Sequence, residues 1–206
     1  MIARALMVAA LGLAFAAGCS PGPAPAEISA PPAPTATAPV RNFTLADQGG
    51  ASHELYSMTD AKAVVLIMQG VGCPIVRKMT PDLKQVQAAY RDKGVRFLMI
   101  NSNSQDTQGM IAAEAAEFEL DLPVLKDAGQ TVGRDLGAVR TAEVFVVDPK
   151  TWTIVYHGPL NDRLTYGREK AVADNDYTAS VLDAVLAGAP VPVIEEQADG
   201  CIINFI

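Results

Sequence analysis

Three largely apolar stretches predict the buried strands of this chain. They are Ala63–Met68, Val95–Ile100 and Thr141–Val147, and the first reads AVVLIM without a polar break. A strand without polar alternation is typical of a sheet that is covered on both faces. We therefore expect a central sheet with helices packed on either side.

Apolar residues at helical spacing lie between and after these strands. The predicted helices run from Pro74 to a C-cap at Gly94, over Gln108–Leu120 and over Val172–Ala187. Proline suits the first turn of a helix because its missing N–H has no helical acceptor there. Glycine suits the C-cap because it adopts the left-handed conformation without strain.

Two shorter strands, Asn42–Ala46 and Thr153–Tyr156, complete the pattern. The order is β, β, α, β, α, β, β, α. Helical crossovers imply parallel pairing, and the short connection before the last strand implies an antiparallel pair. The sequence thus predicts an α/β fold of three layers, a mixed central β-sheet flanked by helices.

Residues 1–19 have the pattern of an export signal. Arg4 precedes an apolar run, Ala5–Ala17, that is too short to span a bilayer comfortably, and small residues lead to Cys19. A cysteine at the cleavage point resembles the bacterial lipoprotein signal, in which that cysteine is lipidated, and Ser20 resembles the outer-membrane sorting choice. The alternative is an ordinary signal peptide cut near Cys19.

The next segment, residues 20–40, is dominated by proline and alanine and predicts an extended linker. The folded domain is expected to span residues 41–206. The formal net charge of −7 argues against nucleic-acid binding, which requires a basic surface. Export would place the two remaining thiols, Cys73 and Cys201, in an oxidising compartment, on the periplasmic side of the membrane.

Four segments in order carry a family resemblance. They are FTLADQGGASHEL from Phe43, CPIVRKMTP from Cys73, LPVLKDAGQTVGRDLG from Leu122 and VFVVDPKTWTIVYHG from Val144. They resemble the redoxin branch of the thioredoxin-like superfamily, which includes alkyl hydroperoxide reductases and thiol-specific antioxidant proteins. The resemblance covers about residues 41–190 and implies a thioredoxin-like fold with thiol redox chemistry.

The chain departs from the family pattern at three positions. Val76 stands where a CxxC pair would have its second cysteine, so Cys73 has no partner thiol on its own helix. Ala142 stands at the place of the family's cis-proline, where a trans peptide and an altered substrate groove are expected. Gly70 stands where the peroxidase branch has a threonine, three residues before its cysteine.

Cys73 is the candidate nucleophile. A thiol at a helix N-terminus lies near unpaired N–H groups and the positive end of the helix dipole, which lower its pKa. Arg77 and Lys78, one turn further on, can assist. The alternative is an inert buried cysteine. Pro74, Ala142 and Glu143 are the expected substrate groove.

Cys201, in the tail DGCIINFI, is the candidate resolving thiol for Cys73. The alternative is an incidental tail cysteine, because sequence alone does not place the two within reach. A redoxin subgroup resembles this chain both in such a tail and in a GPLNDR-like stretch, here Gly158–Arg163. The resemblance to peroxidatic redoxins also implies an arginine that stabilises the thiolate, for which Arg140 is the first choice and Arg134 the competitor.

The sequence leaves two classes of function open. The first is an exported thiol-dependent oxidoreductase that acts on peroxides or disulfides and is recycled by an external thiol reductant, with a lipid anchor in the membrane. The second is a catalytically degenerate binding module, or a copper-handling protein that uses the thiols with His53 and His157. Arg77 fills the second position of the CxxxC pair of copper-delivering relatives, so no metal or other cofactor is predicted.

Overall fold

The computed structural model describes residues 38–206. The predicted signal peptide, Cys19 and nearly all of the linker lie outside the described residues. The strands are β1 (Thr44–Ala46), β2 (Ser52–Glu54), β3 (Ala63–Gln69), β4 (Val95–Asn101), β5 (Val124–Lys126), β6 (Val144–Asp148), β7 (Thr153–Gly158), β8 (Leu164–Thr165) and β9 (Arg168–Glu169). The α-helices are α1 (Pro74–Tyr90), α2 (Gln108–Glu117), α3 (Thr131–Asp135) and α4 (Tyr177–Ala187).

The central sheet has five strands in the order β5-β4-β3-β6-β7. Strand β3 pairs parallel with β4, where Ala63 is opposite Val95, and antiparallel with β6, where Leu66 is opposite Phe145. The β6–β7 pair is also antiparallel, as the short connection predicts. The sheet is therefore mixed, as expected.

Both faces of the sheet are covered, because all seven residues of β3 are buried. Val65 and Ile67 pack with residues of α1, α2 and α4, whereas Val64 and Leu66 pack with residues of α3 and with Ile203 near the C-terminus. This confirms the predicted three-layer α/β fold. Within residues 38–206, no helix is both long and apolar enough to cross a membrane.

Three predicted elements start later than expected. The first strand starts at Thr44 rather than Asn42. The third long strand starts at Val144 because Ala142 has φ +65°, which interrupts the extended backbone. The last helix starts at Tyr177 because the preceding backbone N–H groups of Asp174 and Asn175 bind the Asp162 carboxylate instead. Strands β2, β5, β8 and β9 and helix α3 were not predicted, because they are too short to show a period.

The ends of the described chain are attached to the domain. Val40, the last residue of the predicted linker, is buried, and its N–H donates to the Trp152 carbonyl over 2.7 Å. The C-terminal tail, residues 199–206, runs antiparallel to residues 139–141. Arg140 and Ile202 form a β-bridge there, and the Ile203 N–H donates to the Val139 carbonyl over 3.0 Å. The tail thus lies along the loop that leads into β6.

Candidate functional site: a pair of thiols

Cys73 lies between β3 and α1. It is the N-cap residue of α1, Pro74 is the first helical residue, and the Cys73 side chain is buried, with the residue 2% exposed. The approach from β3 is a tight turn in which the Cys73 N–H donates to the Gly70 carbonyl and Gly72 has φ +77°. The sequence signals for a cysteine at a helix start are therefore confirmed.

The nearest polar group to the Cys73 sulfur is the Thr141 hydroxyl. Its Oγ1 lies 3.0 Å from Cys73 Sγ, and Thr141 is itself 1% exposed. The same Oγ1 accepts the Cys201 N–H over 2.8 Å, and the Thr141 N–H donates to the Cys201 carbonyl over 2.9 Å. One threonine therefore holds the helix thiol and the tail backbone together.

Both thiols are free; Cys73 is buried and Cys201 is exposed. Thr141 bonds to both residues, and the two thiols lie close enough for each to affect the acidity of the other. The structure thus brings together the two cysteines that the sequence offered as nucleophile and resolving thiol. The candidate nucleophile, Cys73, is the buried thiol, whereas the candidate resolving thiol, Cys201, is the exposed one.

The two thiols differ in acidity. Burial raises the pKa of Cys73, but hydrogen bonds from the Thr141 hydroxyl, the Val76 N–H and both the N–H and thiol of Cys201 outweigh it, so the pKa falls below its ordinary value. Burial and the hydrogen bond and charge of Cys73 raise the pKa of Cys201 to about 11. Cys73 is therefore the more acidic thiol of the pair and Cys201 the less acidic one.

Two buried carboxylates hold the loop before Cys73. Glu114 accepts the Gly72 N–H over 2.7 Å and the Arg77 guanidinium over 2.8 Å, and Asp106 accepts the Val71 N–H over 2.9 Å. Arg77 also interacts electrostatically with Cys73. The loop, and with it the position of the thiol, is fixed by charge-assisted hydrogen bonds.

The expected groove residues have different surroundings. A small depression beside Ala142 is lined by Ile75 and Met79 of α1 and by Ala198 and Asp199 at the start of the tail. Pro74 is exposed at the start of α1. The Glu143 carboxylate is buried and accepts the N–H groups of Val139 and Arg140, so it does not line this depression.

The peptide bond before Ala142 is trans, since residues 38–206 contain no cis peptide. Ala142 has φ +65°, and its N–H donates to the Met68 carbonyl over 2.7 Å. Proline requires φ near −65° and has no N–H, so it does not fit here. The backbone conformation and the hydrogen bond at position 142 are therefore both incompatible with the family's proline.

A threonine at position 70 is also excluded. A Cβ on Gly70 would lie 2.5 Å from Asn103 Nδ2 and 2.7 Å from Thr141 Cγ2. The hydroxyl beside the cysteine comes from Thr141 instead, on the loop before β6. Sequence analysis missed Thr141 because its contact with Cys73 depends on the pairing of β3 with β6.

The two arginines proposed for the thiolate are bonded elsewhere. Arg140 Nη1 lies 3.4 Å from the Tyr166 hydroxyl, and the Arg134 guanidinium binds the Ile206 carbonyl and lies over the Phe205 ring. Arg77 is the cation with an electrostatic effect on Cys73. The role expected of Arg140 stays a prediction without a contact to support it.

The histidines do not join the thiols. His53 Nε2 is 2.7 Å from Asp47 and His157 Nε2 is 3.4 Å from Glu143, while the His157 ring stacks on Phe145. In the part of the chain that the structure describes, no three His, Cys, Asp or Glu residues form a group able to hold a metal ion. The arrangement that a copper site would need is not assembled in residues 38–206.

Comparisons with known proteins agree with the geometry. A solved structure of a hypothetical protein from Sinorhizobium meliloti is 28% identical, with a TM-score of 0.75 over 83% of this chain and 94% of that one. The thiol-disulfide oxidoreductase ResA of Halalkalibacterium halodurans is 28% identical over 91 residues. That match covers 44% of this chain and 50% of the relative, so this chain spans half the length of that curated protein.

Peroxidoxin BcpB of Mycobacterium tuberculosis has the same fold, with 20% identity and a TM-score of 0.55 over 74% of this chain and 96% of that one. The family model described as Redoxin matches residues 33–176. That range contains Cys73, Thr141 and the whole central sheet. The chain therefore belongs to the Redoxin family.

Proposed function

We propose that this protein is an exported thiol-dependent oxidoreductase in which Cys73 and Cys201 cycle between two thiols and one disulfide. The observation that carries the proposal is that Thr141 Oγ1 lies 3.0 Å from Cys73 Sγ and accepts the Cys201 N–H over 2.8 Å, which places the two cysteines side by side. The lowered pKa of Cys73 and the raised pKa of Cys201 support it. The family and the resemblance to thiol-disulfide oxidoreductases support the same chemistry.

The first half of the cycle takes electrons from Cys73. Its thiolate attacks the outer oxygen of a hydroperoxide, the O–O bond breaks, and the products are a sulfenic acid and, after protonation, an alcohol or water. Cys73 is 2% exposed, which favours a small oxidant over a protein. With a disulfide substrate, the same thiolate would form a mixed disulfide and release one thiol.

The second half closes the disulfide. The negative charge of Cys73 is one cause of the high pKa of Cys201. Oxidation of Cys73 to a neutral sulfenic acid removes that charge, so Cys201 loses its proton more easily and attacks Sγ of Cys73. Water leaves and the disulfide forms. The charge of Cys73 thus keeps Cys201 protonated until Cys73 has been oxidised.

Reduction would occur through the exposed sulfur. An external thiolate attacks Cys201 Sγ, and Cys73 leaves as the thiolate of lower pKa, which is the better leaving group. A second thiol of the reductant then releases Cys201. The partners of this function are a peroxide or disulfide substrate and an external thiol reductant, and nucleic acid is not among them.

The test is a peptide map of the reduced protein before and after one equivalent of hydrogen peroxide. We expect a Cys73–Cys201 disulfide in the parent and a trappable sulfenic acid on Cys73 in Cys201→Ala. Cys73→Ser is the matched control and should show neither. If both thiols of the parent stay reduced, peroxide is not the oxidant. If a disulfide reagent also fails, the non-enzymatic binding module replaces this proposal.

Location is part of the proposal, because an oxidising compartment allows the disulfide to persist between turnovers. The signal-like residues 1–19 and the linker 20–40 would place the domain on a lipid tether at the periplasmic side, in the outer membrane. Mass spectrometry of the membrane fraction should find an acylated Cys19 at the mature N-terminus. A Cys19→Ser variant that stays equally in the membrane would contradict the lipid anchor.

A further inference from the structure

No hydrogen bond joins the Gly158–Arg163 segment to either thiol, yet the segment contains a nearly buried arginine. The Arg163 side chain is 11% exposed and donates to Asp82 of α1 over 2.6 Å and to Glu169 of β9 over 3.0 Å. Asn161 also donates to Asp82, over 3.2 Å. The segment therefore fastens the β8–β9 hairpin, residues 164–169, to α1.

The hairpin carries Tyr166, and this residue contacts the tail. The Tyr166 hydroxyl donates to the Gly200 carbonyl and accepts the Gly200 N–H over 3.1 Å, and its backbone N–H donates to Asp199 over 2.7 Å. Arg140 Nη1 approaches the same hydroxyl. An exposed tyrosine thus makes three hydrogen bonds to the two residues that precede Cys201.

The tail is held on the other side of Cys201 as well. Ile203 is 4% exposed and packs in the apolar cluster beneath the sheet. Gln130 binds the Asn204 carbonyl and the Ile206 N–H, each over 2.8 Å. Cys201 lies between these two attachments, so its sulfur is kept beside Cys73.

We propose that Tyr166 is a positioning residue that sets how fast Cys201 closes onto oxidised Cys73, and that Arg163 fixes the hairpin from which Tyr166 acts. This rests on the proposed thiol–disulfide cycle and gives the otherwise unexplained GPLNDR segment a role in it. It also explains why such a segment and a Gly-Cys tail belong together in one chain, since the first holds the second in place.

The test compares Tyr166→Phe with Tyr56→Phe in the full mature protein. Each variant loses one hydroxyl that donates to a backbone carbonyl, because Tyr56 donates to Val40, but only Tyr166 contacts the tail. After a pulse of hydrogen peroxide, quenched samples are analysed for sulfenic acid on Cys73 and for the Cys73–Cys201 disulfide. The rate at which Cys73 is consumed measures its oxidation, and the rate at which sulfenic acid is converted to the disulfide measures closure.

We expect Tyr166→Phe to close the disulfide about tenfold more slowly, the effect of losing roughly one to two hydrogen bonds. Sulfenic acid should accumulate, while the rate of Cys73 oxidation stays within about twofold of the parent. Tyr56→Phe should close like the parent. Closure at the parent rate in Tyr166→Phe, or equal slowing in both variants, overturns the proposal. A parent that never oxidises instead overturns the thiol cycle on which it rests.

Discussion

Gly200→Ala is the sharpest perturbation of the thiol pair. A Cβ at position 200 would lie 1.8 Å from the Thr141 carbonyl oxygen, 2.7 Å from its carbon and 2.9 Å from Oγ1. The first two are backbone atoms of the core, so they cannot move aside as a flexible side chain would. The tail must therefore leave its place beside residues 139–141, and Cys201 must leave Cys73.

The loss of stability can be bounded from the contacts that would break. Three of them involve the Gly200 N–H or the backbone of Cys201: the Thr141 N–H to the Cys201 carbonyl at 2.9 Å, the Cys201 N–H to Thr141 Oγ1 at 2.8 Å and the Gly200 N–H to Tyr166 at 3.1 Å. At about 1 kcal/mol each, these three alone should lower the free energy of unfolding by about 3 kcal/mol. For a domain of this size that corresponds to a fall in Tm of roughly 6–12 °C.

Denaturant unfolding of the reduced protein and the rate of disulfide closure are the measurements. Gly109→Ala is the matched control, because Gly109 is exposed in α2 and its Cβ would find its nearest neighbour, Thr107 Oγ1, at 4.0 Å. It should change stability by less than about 1 kcal/mol. If Gly200→Ala is as stable as Gly109→Ala and closes the disulfide at the parent rate, the tail does not dock as argued.

Three further predictions concern acidity and stability. Thr141→Val should raise the pKa of Cys73 more than Cys201→Ala does, because the Thr141 hydroxyl is the largest of the causes that lower this pKa against the effect of burial. Thiolate absorbance measured against pH gives the two pKa values, and a larger rise in Cys201→Ala would contradict the prediction. The disulfide should stabilise the protein by up to ~5 kcal/mol in denaturant, since it closes a very long loop, and Cys201→Ala should show no such gain. Lys170 and backbone N–H groups hold the pKa of Asp162 well below its usual range. The stabilisation that the Asp162 carboxylate provides is therefore present above about pH 4 and is lost on acidification. The difference in free energy of unfolding between the parent and Asp162→Asn should narrow below about pH 4.

The sheet, α1 and the position of Cys73 could be predicted because their signals are local. The apolar run of β3, the proline at the start of α1 and the helical spacing after it each act within a few residues. The pairing of Cys73 with Cys201 could only be offered as a hypothesis. It depends on a tail that docks against the loop before β6, and no periodic pattern reports that contact.

The Thr141 hydroxyl and the Glu114 carboxylate were not predicted for a related reason. A threonine before a strand reads as a strand residue, and a glutamate in α2 reads as part of a solvated face. Glu114 is buried because it accepts N–H groups from the loop before Cys73 and from Arg77. The tail contact had one sequence signal, Gly200, which directly precedes a cysteine in a tail rich in apolar residues. A close approach of another backbone is a common physical reason for a glycine.

Two of the three departures from the family pattern, Gly70 and Ala142, are linked in space through Thr141. Thr141 supplies a hydroxyl to Cys73, and its methyl group occupies the space that a side chain on residue 70 would need, which accounts for Gly70. The left-handed backbone at Ala142 follows directly and excludes proline. Thr141 also binds the backbone of Cys201. The loop that has Ala142 at the place of the family's proline is therefore the loop against which the second cysteine packs. A threonine at position 70 would displace Thr141, and a proline at position 142 would remove the Ala142 N–H that binds Met68, so neither family residue can be restored alone without disturbing this loop. The partner of Cys73 is therefore better sought in the tail than at Val76.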